Sequence, residues 1–300
     1  MRTVATSGSM AIWWGCAQKD EAGLSDRLAI LQWLLDMGTL LNGSSCLCGG
    51  VQSARALLNP GHSRDTAESW SAYLDTSANN GQPWQPCRST PEQSCKQIHN
   101  PGEMDDWWQL WKHGDAICRK RCISLRFSPW LIPLNSSLGL DFTDTGTHGL
   151  QALLRTRNQS PAFIPPSSAV VDAAHQILTS RQLWHSGVIH VRRGDKLSGN
   201  ARLAECTNPE TVVSLLQQRW PQKWIVLLYF AADDDYQAQL SEANTRMRTN
   251  LSLYFEPELS LTLADNYMNY AIGKYLMAGA KERGVCIDLR FCRVDCRAFW

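Results

Sequence analysis

Trp224-Ile225-Val226-Leu227-Leu228-Tyr229-Phe230 is an apolar run with no polar break, and after Ala231 and Ala232 it ends in Asp233, Asp234 and Asp235. A strand with one wet face alternates apolar and polar residues, whereas a strand that is apolar throughout must be covered on both faces. The run therefore predicts a central strand of a parallel sheet. The flanking sequence agrees. After Pro161, Pro165 and Pro166 a helix is predicted to start at Ser167 or Ser168, with Val170, Ala174, Ile177 and Leu178 on one face. A β-branched strand follows at 188–191. Asn208-Pro209-Glu210 reads as a helix start, with a cap, a proline in the first turn and an acid. Val212, Leu215, Leu216 and Trp220 are its predicted buried face. A last helix, from about 266 to 281, shows Met268, Ile272, Tyr275 and Leu276. The order α-β-α-β-α predicts an α/β fold with helices on both faces of the sheet.

The first half is patterned less clearly. Residues 23–41 carry Leu24, Leu28, Leu31, Leu35, Met37 and Leu40 near helical spacing, with Ser25 or Asp26 as the cap. Residues 42–110 are rich in Ser, Asn, Pro, Gly and Cys and are read as an irregular, cysteine-rich insertion. Trp107, Trp108 and Trp111 are read as the start of a helix running to Arg121. Two domains are expected, 1–165 with the insertion and 166–300 with the parallel sheet.

The chain has 300 residues and a formal net charge of +1. No bulk field argues for nucleic acid or an anionic membrane, so any anion site must be local. No stretch reaches the roughly 18 apolar residues of a membrane span. Eleven cysteines occur without a C-x-x-C pair. That usage favours disulfides in an oxidising compartment over a zinc ribbon, and the odd total leaves one thiol free or paired between chains. Glycosylation sequons begin at Asn42, Asn135, Asn158 and Asn250. The first 14 residues lack the apolar core of a secretory leader. The chain is therefore expected to be cytosolic, or luminal with its leader or anchor missing; cysteines and sequons favour the second.

In parallel α/β sheets, ligands bind beyond the carboxyl ends of the strands. Both charged clusters fall there. The first is Arg192-Arg193-Gly194-Asp195-Lys196. Adjacent residues leaving a strand point to opposite sides, so one arginine reaches a ligand while the other holds the loop or a second phosphate. Guanidinium binds a diphosphate bidentately and stays charged. The plainer alternative is two solvated arginines paired with Asp195 and Glu205; the strand end and the following Gly-Asp-Lys favour the anion. Arg193-Gly194-Asp195 is also the cell-adhesion tripeptide, but that role needs a mobile loop tip rather than the end of a core strand. The second cluster, Asp233 to Asp235, either contacts a nucleoside, binds a metal or caps the next helix. Like charges raise one another's pKa, so at least one of the three faces solvent or serves as a cap. Hydrogen bonding is favoured over a metal, because no histidine or further carboxylate stands at ligand spacing. Gly23 and the turn that follows it either bring backbone N–H groups to a phosphate or simply open a capped helix.

His190-Val191-Arg192-Arg193-Gly194-Asp195-Lys196 resembles the H-V-R-R-x-D-K signature of the α1,6-fucosyltransferases, variants of which occur in the bacterial nodulation fucosyltransferases and the protein O-fucosyltransferases. The x-Pro-x-acid helix start at Asn208-Pro209-Glu210 and the strand ending in Ala231-Ala232-Asp233-Asp234 are similar to elements of the same superfamily. So are the turn at Gly23 and Asp265-Asn266-Tyr267 ahead of a helix. The resemblance implies a GT-B fold, two Rossmann-like halves facing a cleft. It implies GDP-fucose as donor, transfer with inversion to a glycan or protein hydroxyl, no cofactor and no metal, and residence in the Golgi or ER lumen.

It also implies roles. Arg193 or Arg192 neutralises the leaving diphosphate, Lys196 adds charge or contacts the acceptor, and Asp195 orients the arginines. His190, Asp233, Asp234, Asp265 and Gly23 line the nucleotide side. The α1,6 enzymes place a candidate base, a glutamate, four residues after the lysine. Here that position is Asn200, and Glu205 is the nearest acid downstream. A non-catalytic relative that binds nucleotide sugar or glycan is the alternative reading, and a cysteine-rich secreted interaction protein is a third.

Overall fold

Strands of three to five residues build two parallel sheets. In this computed structural model, residues 10–14, 24–41, 43–47, 70–75, 95–113, 122–127, 131–133, 136–139, 149–160, 164–193, 197–228, 235–255, 266–289, 292 and 296 are described. The chain divides into two units, Met1–Ser167 and Ser168–Trp300.

In the first unit β1 (Ala11–Trp14), α1 (Leu24–Leu40) and β2 (Ser44–Leu47) come first. They are followed by α2 (Trp70–Tyr73), β3 (Lys96–Ile98), α3 (Pro101–Lys112), β4 (Cys122–Leu125) and α4 (Gly149–Thr156). The four strands pair in the order β2-β1-β4-β3, all parallel. Every described β4 residue is buried, and Cys95, just before β3, is disulfide-bonded to Cys122 on β4.

Several expectations for this unit are corrected. Segments within the expected irregular insertion, 44–47, 70–73, 96–98 and 101–110, are strands of the sheet and helices; 48–69 and 76–94 lie outside the described residues. The tryptophans Trp107, Trp108 and Trp111 end a helix rather than begin one. Asn100 caps it, accepting from the Glu103 N–H at 3.0 Å, while Glu103 accepts from the His99 N–H at 2.9 Å. With Pro101 in the first turn, this is a capping signal of the same kind as that at Asn208, placed ahead of the tryptophans. Helix α1 begins at Leu24, so Ser25 and Asp26 lie inside its first turn rather than at its cap.

The second unit contains α5 (Ser168–Ser180), β5 (Gly187–His190), α6 (Ala201–Cys206), α7 (Pro209–Gln217) and β6 (Lys223–Leu227). Then come α8 (Tyr236–Arg246), β7 (Ser252–Phe255), α9 (Asn266–Glu282) and β8 (Cys286–Asp288). The strands pair in the order β7-β6-β5-β8, all parallel. One face packs Ile189, Trp224, Val226, Phe255 and Ile287 against Val212, Val213 and Leu216 of α7 and Tyr236, Leu240 and Ala243 of α8. Strand alternation puts Val188, His190 and Asp288 on the other face, where α9 contacts β5 and β8 and packs on α5.

The α5 face is buried at the four positions read from the sequence, Val170, Ala174, Ile177 and Leu178. Asn208 caps α7, accepting from the Glu210 N–H at 3.0 Å. Two details differ. Trp220 stands beyond the end of α7 and is 75% exposed, while Val213 takes the buried position. Strand β6 ends at Leu227, three residues before the end of the apolar run; 229–234 lie outside the described residues.

Candidate functional site

The strand order of the second unit fixes where a ligand belongs. From β5 the chain moves outward through β6 to β7, then returns through α9 to place β8 on the opposite side of β5. The reversal lies between β5 and β8. In open parallel sheets the crevice for a ligand opens at the carboxyl ends of the strands flanking such a reversal. His190 ends β5, Asp288 ends β8, and the two are register partners. Val191 extends the ladder by one bond, its N–H donating to the Leu227 carbonyl at 2.9 Å. Arg192 and Arg193 emerge directly above.

Gly187 begins β5 because no side chain fits there. A Cβ on it would meet the Trp224 ring at 2.4 Å. The indole of the neighbouring strand therefore lies across the Gly187 backbone, and β5 seats closely on β6.

Arg193 continues the alternation to the α7–α8 face and is anchored there. Its Nη1 donates to the Thr207 carbonyl at 2.9 Å and to the Thr207 hydroxyl at 3.0 Å. Its guanidinium carbon stands 4.5 Å from the centroid of the Tyr236 ring. The Tyr236 hydroxyl donates to the same Thr207 carbonyl at 2.7 Å. Thr207 is wholly buried in the corner between α6 and α7, and its hydroxyl donates to the Leu203 carbonyl at 2.6 Å. One corner residue thus collects the arginine, the tyrosine and the end of α6. Neither Thr207 nor Tyr236 has a local sequence signature; the only signal is an arginine leaving a buried strand, which needs something to set its direction.

His190 and Asp288 form the other side of the strand end. His190 Nδ1 is 3.5 Å from Asp288 Oδ1, and both residues are more than nine-tenths buried. The 3.5 Å approach turns the Nδ1 edge of the imidazole toward the carboxylate. Arg192, half-buried, follows the alternation away from Arg193.

Of the other residues expected at the site, Asn200 is the N-cap of α6, its side-chain oxygen accepting from the Leu203 N–H at 3.0 Å. Glu205 lies exposed in the last turn of α6, two residues before Thr207. Asp235 precedes α8 as its N-cap and makes no side-chain cap bond. Gly23, Asp195, Lys196, Asp233, Asp234 and Asp265 lie outside the described residues.

Two disulfides close the same unit, Cys206–Cys292 and Cys286–Cys296. Among the described residues no helix is long and apolar enough to cross a membrane. No protein-family model matches the chain, and no curated protein matches it. Its fold is similar to that of POFUT1 in the crystal structure of a POFUT1 complex with GDP, with a TM-score of 0.51 and 10% sequence identity, over 89% of this chain and 90% of that one. What the two share is the fold, a mixed α/β architecture on parallel sheets.

Proposed function

We propose that the chain is a nucleotide-sugar glycosyltransferase that takes GDP-fucose and transfers fucose, with inversion, to a hydroxyl of a glycan or protein. The observation that carries this reading is the pair Arg192-Arg193 leaving β5 at the strand-order reversal, with the Arg193 guanidinium held by Thr207 and Tyr236. The structural neighbour's GDP and the resemblance of His190 to Lys196 to the fucosyltransferase signature support the same donor. In this reading the two units are the halves of a GT-B enzyme, the second binding the donor and the first the acceptor.

Breaking the bond between sugar and phosphate leaves growing negative charge on the diphosphate. A guanidinium already fixed where that charge develops needs no reorganisation as the bond breaks. Arg192, Arg193 and Lys196 supply the positive charge, so no metal is required. His190, Asp233, Asp234, Asp265 and Gly23 are assigned to the nucleotide side, and Asp195 to orienting the arginines. Glu205, exposed in the last turn of α6, is assigned the proton of the acceptor hydroxyl. The disulfides support residence in the oxidising lumen of the ER or Golgi.

One observation favours a second reading, a binding protein without turnover. Asn200, where the α1,6 enzymes carry an acid, is committed to capping α6. Calorimetry with GDP-fucose, GDP-mannose and a uridine nucleotide sugar separates the readings, followed by assay of GDP release in the presence of glycan and protein acceptors. Preferred binding of GDP-fucose with release of GDP supports the transferase. Binding without release under any acceptor supports the second reading, and no binding of a guanosine nucleotide sugar overturns both.

A further inference from the structure

The corner that sets Arg193 is itself tied down covalently. Cys206, the residue before Thr207, is bonded to Cys292, 86 residues away. Cys292 lies four residues beyond Asp288, the partner of His190. Its N–H donates to the Leu289 carbonyl at 3.4 Å, and its sulfur lies 3.2 Å from the Arg202 carbonyl of α6. A single bridge therefore joins the turn that holds Arg193 to the chain leaving β8, the strand that ends in Asp288, the partner of His190.

Helix α6 is a short element, six residues long. A helix of that length has little stability of its own. Its C-terminal residue is Cys206, and the next residue, Thr207, accepts two hydrogen bonds from Arg193. We infer that the Cys206–Cys292 disulfide is a positioning device for the donor site: it fixes Thr207, and through Thr207 the direction of the Arg193 guanidinium. This rests on the reading of Arg193 as a diphosphate ligand. The neighbouring bridge, Cys286–Cys296, spans 10 residues and joins β8 to the chain after it rather than to α6. It serves as the internal control for general loss of stability.

The test uses the full chain and two double variants, Cys206→Ala/Cys292→Ala and Cys286→Ala/Cys296→Ala. GDP affinity is measured by calorimetry, and backbone hydrogen exchange is followed over 188–212. The first variant is expected to bind GDP at least about tenfold more weakly, the scale of one charge-assisted hydrogen bond, and to exchange faster at 203–208. The second is expected to bind as the parent does. Equal affinity in the parent and the first variant, with unchanged exchange at 203–208, overturns the inference; so does an equal loss of affinity in both variants. If the parent itself fails to bind GDP, the donor reading falls, and exchange alone decides: faster exchange at 203–208 in the first variant but not the second upholds the clamp, and its absence overturns it. Should the first variant fail to fold, graded treatment of the parent with a dithiol replaces it. The dithiol is oxidised to its own cyclic disulfide as Cys206 and Cys292 become two thiols. Mass spectrometry of the alkylated protein then gives the fraction of that bridge opened, and affinity must fall with that fraction; affinity that does not track it overturns the inference.

Discussion

The Arg193 guanidinium sits 4.5 Å from the centre of the Tyr236 ring, while the Tyr236 hydroxyl and Arg193 Nη1 meet on one acceptor, the Thr207 carbonyl. The ring supplies a flat, electron-rich surface and the carbonyl sets the rotation about it, so the arginine is held in both respects. Tyr236→Phe keeps the surface and removes one bond to Thr207. It should lower stability by about 1 kcal/mol and weaken GDP binding a few-fold. Tyr236→Leu removes both and should weaken binding further, with denaturant titration and calorimetry as the two measurements. Equal GDP affinity in all three proteins would mean that the stack does not serve the ligand.

Arg193→Ala is expected to abolish GDP binding and transfer together. Arg193→Lys keeps the charge but loses the planar fork that bridges Thr207 and Tyr236, so it should still weaken binding by about 10- to 100-fold. Calorimetry that finds undiminished GDP affinity in the alanine variant would remove Arg193 from the site.

How much of this was legible in the sequence depends on how local each cause is. The α7 start was legible because Asn208, Pro209 and Glu210 sit side by side, and the α5 face because its burial follows helical spacing. The α3 start carried the same kind of signal at Asn100, Pro101 and Glu103, but the tryptophans after it drew the helix boundary too far along. Strands β2 and β3 were hidden because Ser44, Ser45 and Cys46, or three residues beginning with Lys96, have no β-branched run to mark them. Helix α8 is polar over most of its length, with only Tyr236, Leu240 and Ala243 buried, so its periodicity is faint. Thr207 and Tyr236 matter only because folding brings together positions 29 residues apart, which no window of sequence displays.

Gly187→Ala tests the seating of β5 on β6. The added carbon would lie 2.4 Å from the Trp224 ring, and Trp224 is fully buried. Overpacking of this kind costs about 1–3 kcal/mol. The variant should melt several degrees lower, followed by near-ultraviolet circular dichroism of the tryptophans. An unchanged melting temperature would show that Trp224 moves freely.

His190 and Asp288 are close enough that neither contributes independently. In a double-mutant cycle on stability with His190→Ala and Asp288→Ala, the pair should show a coupling of at least about 0.5 kcal/mol. Each single change leaves a buried polar partner behind, so the double variant should lose less than the sum of the two. Strict additivity would show that the 3.5 Å approach carries no energy.

Asn200 separates structure from chemistry at the position where an acid was expected. Its side chain accepts from the Leu203 N–H, and a carboxylate accepts in the same way. Asn200→Ala should therefore destabilise the protein by about 1 kcal/mol, whereas Asn200→Asp should leave stability nearly unchanged and add favourable charge at a helix N-terminus. A carboxylate already accepting a backbone N–H is a poor proton acceptor, because that bond favours its charged form. Asn200→Asp should thus leave transfer at the parent's rate, with Glu205→Gln lowering it instead. If transfer rises in Asn200→Asp and is untouched in Glu205→Gln, the acceptor's proton belongs to position 200, and α6 must yield its cap when the acceptor binds.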